Sequence, residues 1–335
     1  MDYAEILSKI QSDTRYYIEN FLWVKTKEQE ILPFKLRRAQ DYILAAIERL
    51  KKEEKLIRLI ILKCRQAGSS SICGGILFHA TATKPFTNSL IVSDDTESSS
   101  YLLSMSDAFY DYLPEFLRPL KRISNAKELV FENPNARERL KKPGLRSSMK
   151  IDTANNLESP GRSFTVHCLH CSEVTRWKKP DETMLGLLQS VPDTPTSIVI
   201  IESTARGASG WFYDTYKKAE KEENSYTPLF IPWFWVPEYK MKLLPSFKLS
   251  DEELEYRDFI ERVWNETLTD EQIYWRRYII VDKCHGNLDF FKQEYPSTAD
   301  EAFIFSGANV FDLSKVRDLL QYVIKPIRGK LWLKE

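Results

Sequence analysis

Apolar positions along this chain follow two patterns, with the change near Pro237. From about 58 to 235, short runs rich in Val, Ile and Phe alternate with longer stretches of helical period, which predicts strands and helices in turn. The strands read as "RLIILK" (58–63), "NSLIVS" (88–93), "ELVFE" (128–132), "SMKIDTA" (148–154), "FTVHCLH" (164–170), "TSIVIIEST" (196–204) and "PLFIPWF" (228–234). Helices fall near 69–82, 96–112, 181–190 and 209–223. Near-continuous apolar strands separated by helices imply an α/β fold with a mainly parallel sheet covered on both faces.

After Pro237 the period becomes helical throughout. "SDEELEYRDFIERVWNE" and "LTDEQIYWRRYIIVDK" each begin with a Ser-Asp or Thr-Asp cap and carry acids in the first turn, where the helix dipole favours them. Residues 1–50 hold two more helices, the second roughly "LRRAQDYILAAIERLKKEEK". Three regions follow: an N-terminal helical segment (1–50), an α/β core (51–237) and a mostly helical C-terminal linker or lid (238–335).

Composition narrows the class. Hydrophobic residues make up 43% of the 335 and charged residues 29%, as in a globular protein with a sizeable core. No apolar run approaches the length of a membrane span, and the start "MDYAEILSKIQSD" is acidic where a signal peptide is basic. Five cysteines without framework spacing fit a reducing cytosol better than a disulfide scaffold. Net charge is zero, so whole-molecule attraction to nucleic acid has no basis. Locally, however, residues 115–150 carry ten Lys/Arg against four Glu, an excess of six. Such a run is either a solvated face or a phosphate-backbone contact, with Arg137, Arg139, Lys141 and Lys142 as the possible grips.

The candidate chemistry starts at "LIILKCRQAGSSS" (59–71), an apolar strand running into Gly68 and three serines. The G-x-x-x-x-G-K-[ST] phosphate loop would put glycine at 63 and lysine at 69; this chain has Lys63 and Ser69. The position is still right for phosphate. A helix N-terminus beyond the carboxyl end of a parallel strand offers unpaired N–H groups and a positive dipole end. Lys63 can serve if its long side chain folds back across the loop, since an ammonium acts on phosphate as a point charge. Ser70 stands where the template puts the magnesium-binding hydroxyl.

Two further strand ends complete the pattern. Phosphoanhydride hydrolysis needs an acid for magnesium and a carboxylate to align water. "SFTVHCLHCSEVTRW" offers Glu173 as the base, but Ser172 stands where the metal-binding acid is expected. "SIVIIESTARGASGWF" runs from an apolar strand into Glu202, Ser203 and Thr204, polar groups suited to sensing the γ-phosphate.

Together these stretches resemble the large terminase subunit of tailed bacteriophages, the motor that packages DNA into a capsid, over nearly the whole chain. "PFKLRRAQ" is similar to that family's adenine-recognition element, with Gln40 reading the base edge. "KCRQAGSSS" looks like its R-Q-x-G-x-S loop with the lysine displaced to Lys63, so that Cys64, Arg65, Gln66, Ala67, Gly68, Ser69 and Ser70 complete the ATP-binding set. "VHCLHCSEVTRW" resembles the variant second motif with serine before the glutamate, and "IIESTARGASGWFYDTY" resembles the coupling motif. "PLFIPWFWVPEYK" and "FFKQEYPSTADEAFIFSGANVF" are similar to stretches of the family's linker region.

The resemblance implies an additional-strand, catalytic-glutamate P-loop NTPase on a RecA-like sheet, using ATP and Mg2+, with the metal at Ser70 and Ser172. It implies a ring, commonly of five subunits, working in the host cytoplasm with a portal protein, a small terminase subunit and double-stranded DNA. Arg162 of a neighbouring subunit is the candidate arginine finger, and Arg65 is its alternative within the chain. The family's nuclease domain would begin about where "RGKLWLKE" ends this sequence, so no nuclease activity is expected of these residues.

Other readings remain. A helicase-like ATPase would normally bring a second RecA-like domain, and a nucleotide-binding scaffold would have no use for Glu173. "HCLHC" (167–171) has metal-ligand residue types, but neighbours on an extended strand face opposite ways, which disfavours zinc. Trp233 and Trp235 are better suited to packing the linker on the sheet than to stacking on bases.

Overall fold

In the structure, a computed structural model, residues 3–26, 29–155 and 164–303 are described. Helices α1 (Tyr3–Ser12) and α2 (Thr14–Phe21), a small hairpin of β1 (Trp23–Lys25) and β2 (Ile31–Pro33), and α3 (Arg38–Lys52) come first. Among the described residues the N-terminal region thus shows three helices where two were expected. The break falls at Asp13, whose carboxylate accepts from Tyr16 N–H at 2.8 Å and starts a new helix.

The main sheet contains β3 (Ile57–Lys63), β4 (Asn88–Ser93), β5 (Ile123–Ser124), β6 (Glu128–Phe131), β7 (Ser147–Thr153), β8 (Cys168–Ser172), β9 (Ile198–Ser203) and β10 (Thr227–Ile231). Its order is β10-β3-β9-β8-β4-β7-β6-β5, parallel from β10 through β7 and antiparallel at the β5/β6 edge. The sheet carries α4 (Ser69–Thr83), α5 (Thr96–Tyr112), α6 (Pro180–Gln189) and α7 (Trp211–Glu220). The arrangement is RecA-like, with β9 inserted between the strand that feeds the loop and the strand that ends at Glu173.

Two strand boundaries differ from the sequence expectation by three residues or more. Strand β8 begins at Cys168 rather than at 164, because Val166 N–H bonds to Ser190 at the end of α6, outside the ladder. Strand β10 stops at Ile231: Pro232 has no N–H to donate, and Trp233–Trp235 turn into a 3-10 helix.

All seven residues of β3 are buried, and they alternate. Leu59 and Ile61 face the side covered by α3, α4 and α5, while Ile60 and Leu62 face the side covered by α6 and α7. Cys168 lies on the first side and Leu169 and Cys171 on the second, so ligand-type neighbours in "HCLHC" do diverge. Among the described residues no cluster of three or more His, Cys, Asp or Glu is arranged to hold a metal.

The C-terminal region holds α8 (Asp251–Trp264), α9 (Asp270–Tyr278), α10 (Leu288–Glu294) and α11 (Ala299–Ala302). Ser250 and Thr269 form the expected caps, each with a reciprocal bond from the residue three positions on. Trp233 is fully buried and stacks on Trp275 at 5.2 Å, which in turn stacks on Tyr239 at 4.2 Å. This aromatic column joins the helical appendage to the same apolar cluster that lines one face of the sheet. No helix among the described residues is long and apolar enough to cross a membrane.

Candidate nucleotide site

The carboxyl ends of β3, β8 and β4 open on a cleft of about 510 Å³, lined among others by Gln40, Gln66, Gly68, Ser70, Ser172 and Glu173. That volume suits a small-molecule ligand. Gly68 begins α4 with φ +77, a left-handed conformation natural to glycine, and a Cβ there would come within 2.9 Å of the Gln40 amide nitrogen. The first N–H groups of α4 have no acceptor within the helix, so they face the loop with the positive end of the dipole.

At the centre lies a buried ionic network. The Lys63 ammonium donates to Glu173 Oε1 at 2.8 Å and pairs with Glu202 Oε2 at 3.4 Å. Lys63 and Glu173, each named at the end of an apolar run, thus meet directly. Burial alone would pull the Lys63 ammonium down, but the carboxylates of Glu202 and Glu173 more than offset it and hold it well above its ordinary value. Glu202 has no exposed surface. Burial there favours the acid form, yet Lys63 and the hydrogen bonds from His170 and Ser70 hold the carboxylate ionised, well below the usual range.

Glu202 Oε1 accepts from three side chains: Ser70 Oγ at 2.8 Å, Ser172 Oγ at 2.9 Å and His170 Nε2 at 3.3 Å. A carboxylate only accepts, so that imidazole nitrogen carries the hydrogen. Thr204 Oγ1 donates to Glu173 Oε2 at 3.4 Å, and Ser203 Oγ meets Thr175 Oγ1 at 2.8 Å, tying the end of β9 to the turn after Glu173. Glu173 and Gln66 both stand at φ 53, left-handed for residues with a side chain. Each such conformation costs about 1–2 kcal/mol, held in place by the surrounding packing.

Other expected residues serve differently. Cys64 is turned to β10: its N–H bonds Ile231 O at 3.0 Å, its thiol donates to Pro232 O at 3.6 Å, and burial pushes it up to about 12. Arg65 does not line the cleft. It pairs with Glu294 at 2.9 Å, and Tyr239 OH donates to its carbonyl at 2.5 Å, so the arginine expected as the alternative finger within the chain instead ties the loop to the appendage. Thr204 donates to Glu173 and, through its carbonyl, accepts from Thr175 at 3.0 Å, which holds the end of β9 against the turn after Glu173. Gln40 accepts from Arg37 N–H at 3.0 Å and donates to Gly68 O at 3.2 Å, so in this state its amide joins the start of α3 to the loop. Ala67 and Ser69 are buried. Arg162 lies outside the described residues.

Sequence reasoning missed Arg176, which lines the cleft one short turn after Glu173, and it missed Glu202 as the acceptor hub. The signal for Arg176 was its place in "SEVTRW". The basic run 115–150 is partly neutralised: Arg122 pairs with Glu132 at 2.6 Å and Lys150 with Glu128 at 3.4 Å. Arg139 donates to Asn133 O at 3.0 Å and is thereby engaged, while Arg137, Lys141 and Lys142 stand exposed on the loop between β6 and β7.

No protein-family model and no curated protein sequence matches the chain. Solved structures do. The large terminase of bacteriophage HK97 superposes with a TM-score of 0.58 at 12% identity, over 87% of this chain and 55% of that one. The fold is that of a phage large terminase. A variant of the large terminase ATPase domain of Thermus phage P74-26 matches over 86% of this chain and 98% of that one, at 12% identity and a TM-score of 0.48. A large terminase from a thermophilic bacteriophage, in complex with ATP-gamma-S, matches over 67% of this chain and 49% of that one, at 11% identity and a TM-score of 0.41. This terminase-like chain thus spans about half the length of the HK97 protein.

Proposed function

We propose that the chain is the ATPase motor part of a phage terminase large subunit, hydrolysing ATP to drive double-stranded DNA into a procapsid. The observation that carries this reading is the 2.8 Å contact between buried Lys63 and Glu173, which lines a cleft opened by parallel strand ends. The free N–H groups at the start of α4, beside that ammonium, support a phosphate-bearing ligand.

ATP lies with its phosphates over residues 66–70, against the first N–H groups of α4. Lys63 then exchanges one of its carboxylates for phosphate oxygens, which releases Glu173 to orient the attacking water. Thr204, bonded to the other oxygen of Glu173, registers the change. The donor set fits magnesium, which would be held by few protein ligands: the hydroxyls of Ser70 and Ser172, both of which line the cleft. When bound, the ion neutralises charge on the β- and γ-phosphates. Arg162 of a neighbouring subunit in a ring, with Arg176 within the chain, would supply the remaining positive charge. The portal protein, small subunit and host cytoplasm belong to the same proposal, with DNA contacts to phosphates because packaging accepts any sequence.

Glu173→Ala should retain ATP binding and lose turnover by about 100-fold or more. Unchanged turnover would overturn the hydrolytic reading, and equal binding with no wild-type turnover would favour a nucleotide-dependent scaffold. Strand separation coupled to hydrolysis would favour a helicase.

A further inference from the structure

A hydrolytic phosphate loop needs negative charge on the metal side of the site, and position 172, where that acid would stand, is a serine. The missing charge is one strand away. Glu202 of β9 is the register partner of Ser172 of β8, so the two side chains leave adjacent parallel strands toward the same face. Its Oε1 receives the hydroxyl hydrogens of both Ser70 and Ser172, at 2.8 and 2.9 Å.

That arrangement has a chemical consequence. A hydroxyl has one hydrogen to donate and two lone pairs. With their hydrogens committed to Glu202, Ser70 and Ser172 present only lone pairs to the cleft they line, which suits a cation. It also accounts for the serine at position 172. An aspartate at 172 would sit directly beside the Glu202 carboxylate, and two buried like charges do not both ionise without penalty. Serine at 172 and glutamate at 202 are therefore one compensated pair.

We propose that Glu202 is the positioning residue for the divalent cation of the nucleotide, acting through the hydroxyls of Ser70 and Ser172 in place of an acid at position 172. This rests on the nucleotide reading above. Removing such a supporting carboxylate weakens metal affinity by about 10- to 100-fold.

The test is calorimetric titration of a non-hydrolysable ATP analogue into the full chain, with Mg2+ and with EDTA. Wild type should bind more tightly with Mg2+. Glu202→Gln should lose the Mg2+ enhancement, its affinity with Mg2+ falling to that in EDTA, and Glu202→Gln combined with Ser172→Asp should regain it. Glu202→Gln retaining the full enhancement, or the double variant failing to regain it, overturns the assignment. If Glu202→Gln loses its cooperative melt, Ser172→Asp alone decides. It should lower the melting temperature and leave Mg2+ affinity no better, whereas tighter Mg2+-nucleotide binding would return the metal role to position 172. Wild type that binds no nucleotide under either condition sinks the nucleotide reading itself.

Discussion

The two concentrations of charge in this chain behave in opposite ways. Residues 115–150 hold the larger number of charged groups, yet those with partners pair across the surface, and Arg137, Lys141 and Lys142 face water. The site at the strand ends holds one lysine and two glutamates, of which Glu202 is wholly buried. Water screens the first group, so each pair there contributes little. Lys63 and Glu202, both buried, have little such screening, and each is stable only because the other is present. Charge density along a sequence is therefore a poor guide to where charge matters; convergence of a few groups away from solvent is the better one.

The sharpest way to break this comparison is Lys63→Ala. It leaves Glu202 buried without its counter-charge, and loss of one partner of a buried pair destabilises by about 3–5 kcal/mol. Thermal or urea unfolding would measure it, together with loss of nucleotide binding. A melt equal to that of wild type would mean the network is not held as tightly as its geometry indicates.

Acid titration comes next. The Glu202 carboxylate is depressed in the folded chain, so its stabilising contribution is fully present above its ordinary value of 4.5 and is lost as pH falls below it. The Lys63 ammonium is raised, so its contribution is present below its ordinary 10.5 and is lost only as pH rises beyond that. Between the two the network adds a constant stability. Melting temperature measured from pH 7 downward should fall more steeply in wild type than in Glu202→Gln, and parallel acid limbs would contradict it.

Gly68→Ala is a smaller perturbation of the same region. The left-handed φ and the 2.9 Å approach to Gln40 should together lower stability by about 1–2 kcal/mol and loosen the start of α3 from the loop. An unchanged melt would mean that Gln40 simply moves aside.

The surface run should respond least. Lys141→Ala with Lys142→Ala should leave the melt unchanged. If these side chains do touch DNA phosphates, each removal lowers the salt slope of binding by about one. DNA binding with an unaltered slope would assign the run to solvent alone.

Much of the fold was legible because its signals are local. The apolar run 88–93 and the helix over 96–112 agree with the structure to the residue, and the Ser250 and Thr269 caps follow from hydroxyl and acid spacing alone. Lys63 and Glu173 could be named because each ends an apolar run, and strand ends are where a parallel sheet gathers its ligands. Glu202 could be named as polar but not understood. Its role depends on β9 lying against β8 in one register, a pairing between segments some thirty residues apart. Likewise the sequence offered Arg65 as a possible finger, and only the docking of α10 showed that it faces Glu294.

By itself, then, the sequence determined the kinds of element, their order and the polar groups at their ends, since periodicity and capping act over a few residues. The tertiary structure decided strand order, register and which polar groups share a buried space. Those are set by packing between distant segments, and in that space the low dielectric makes each carboxylate depend on its neighbours.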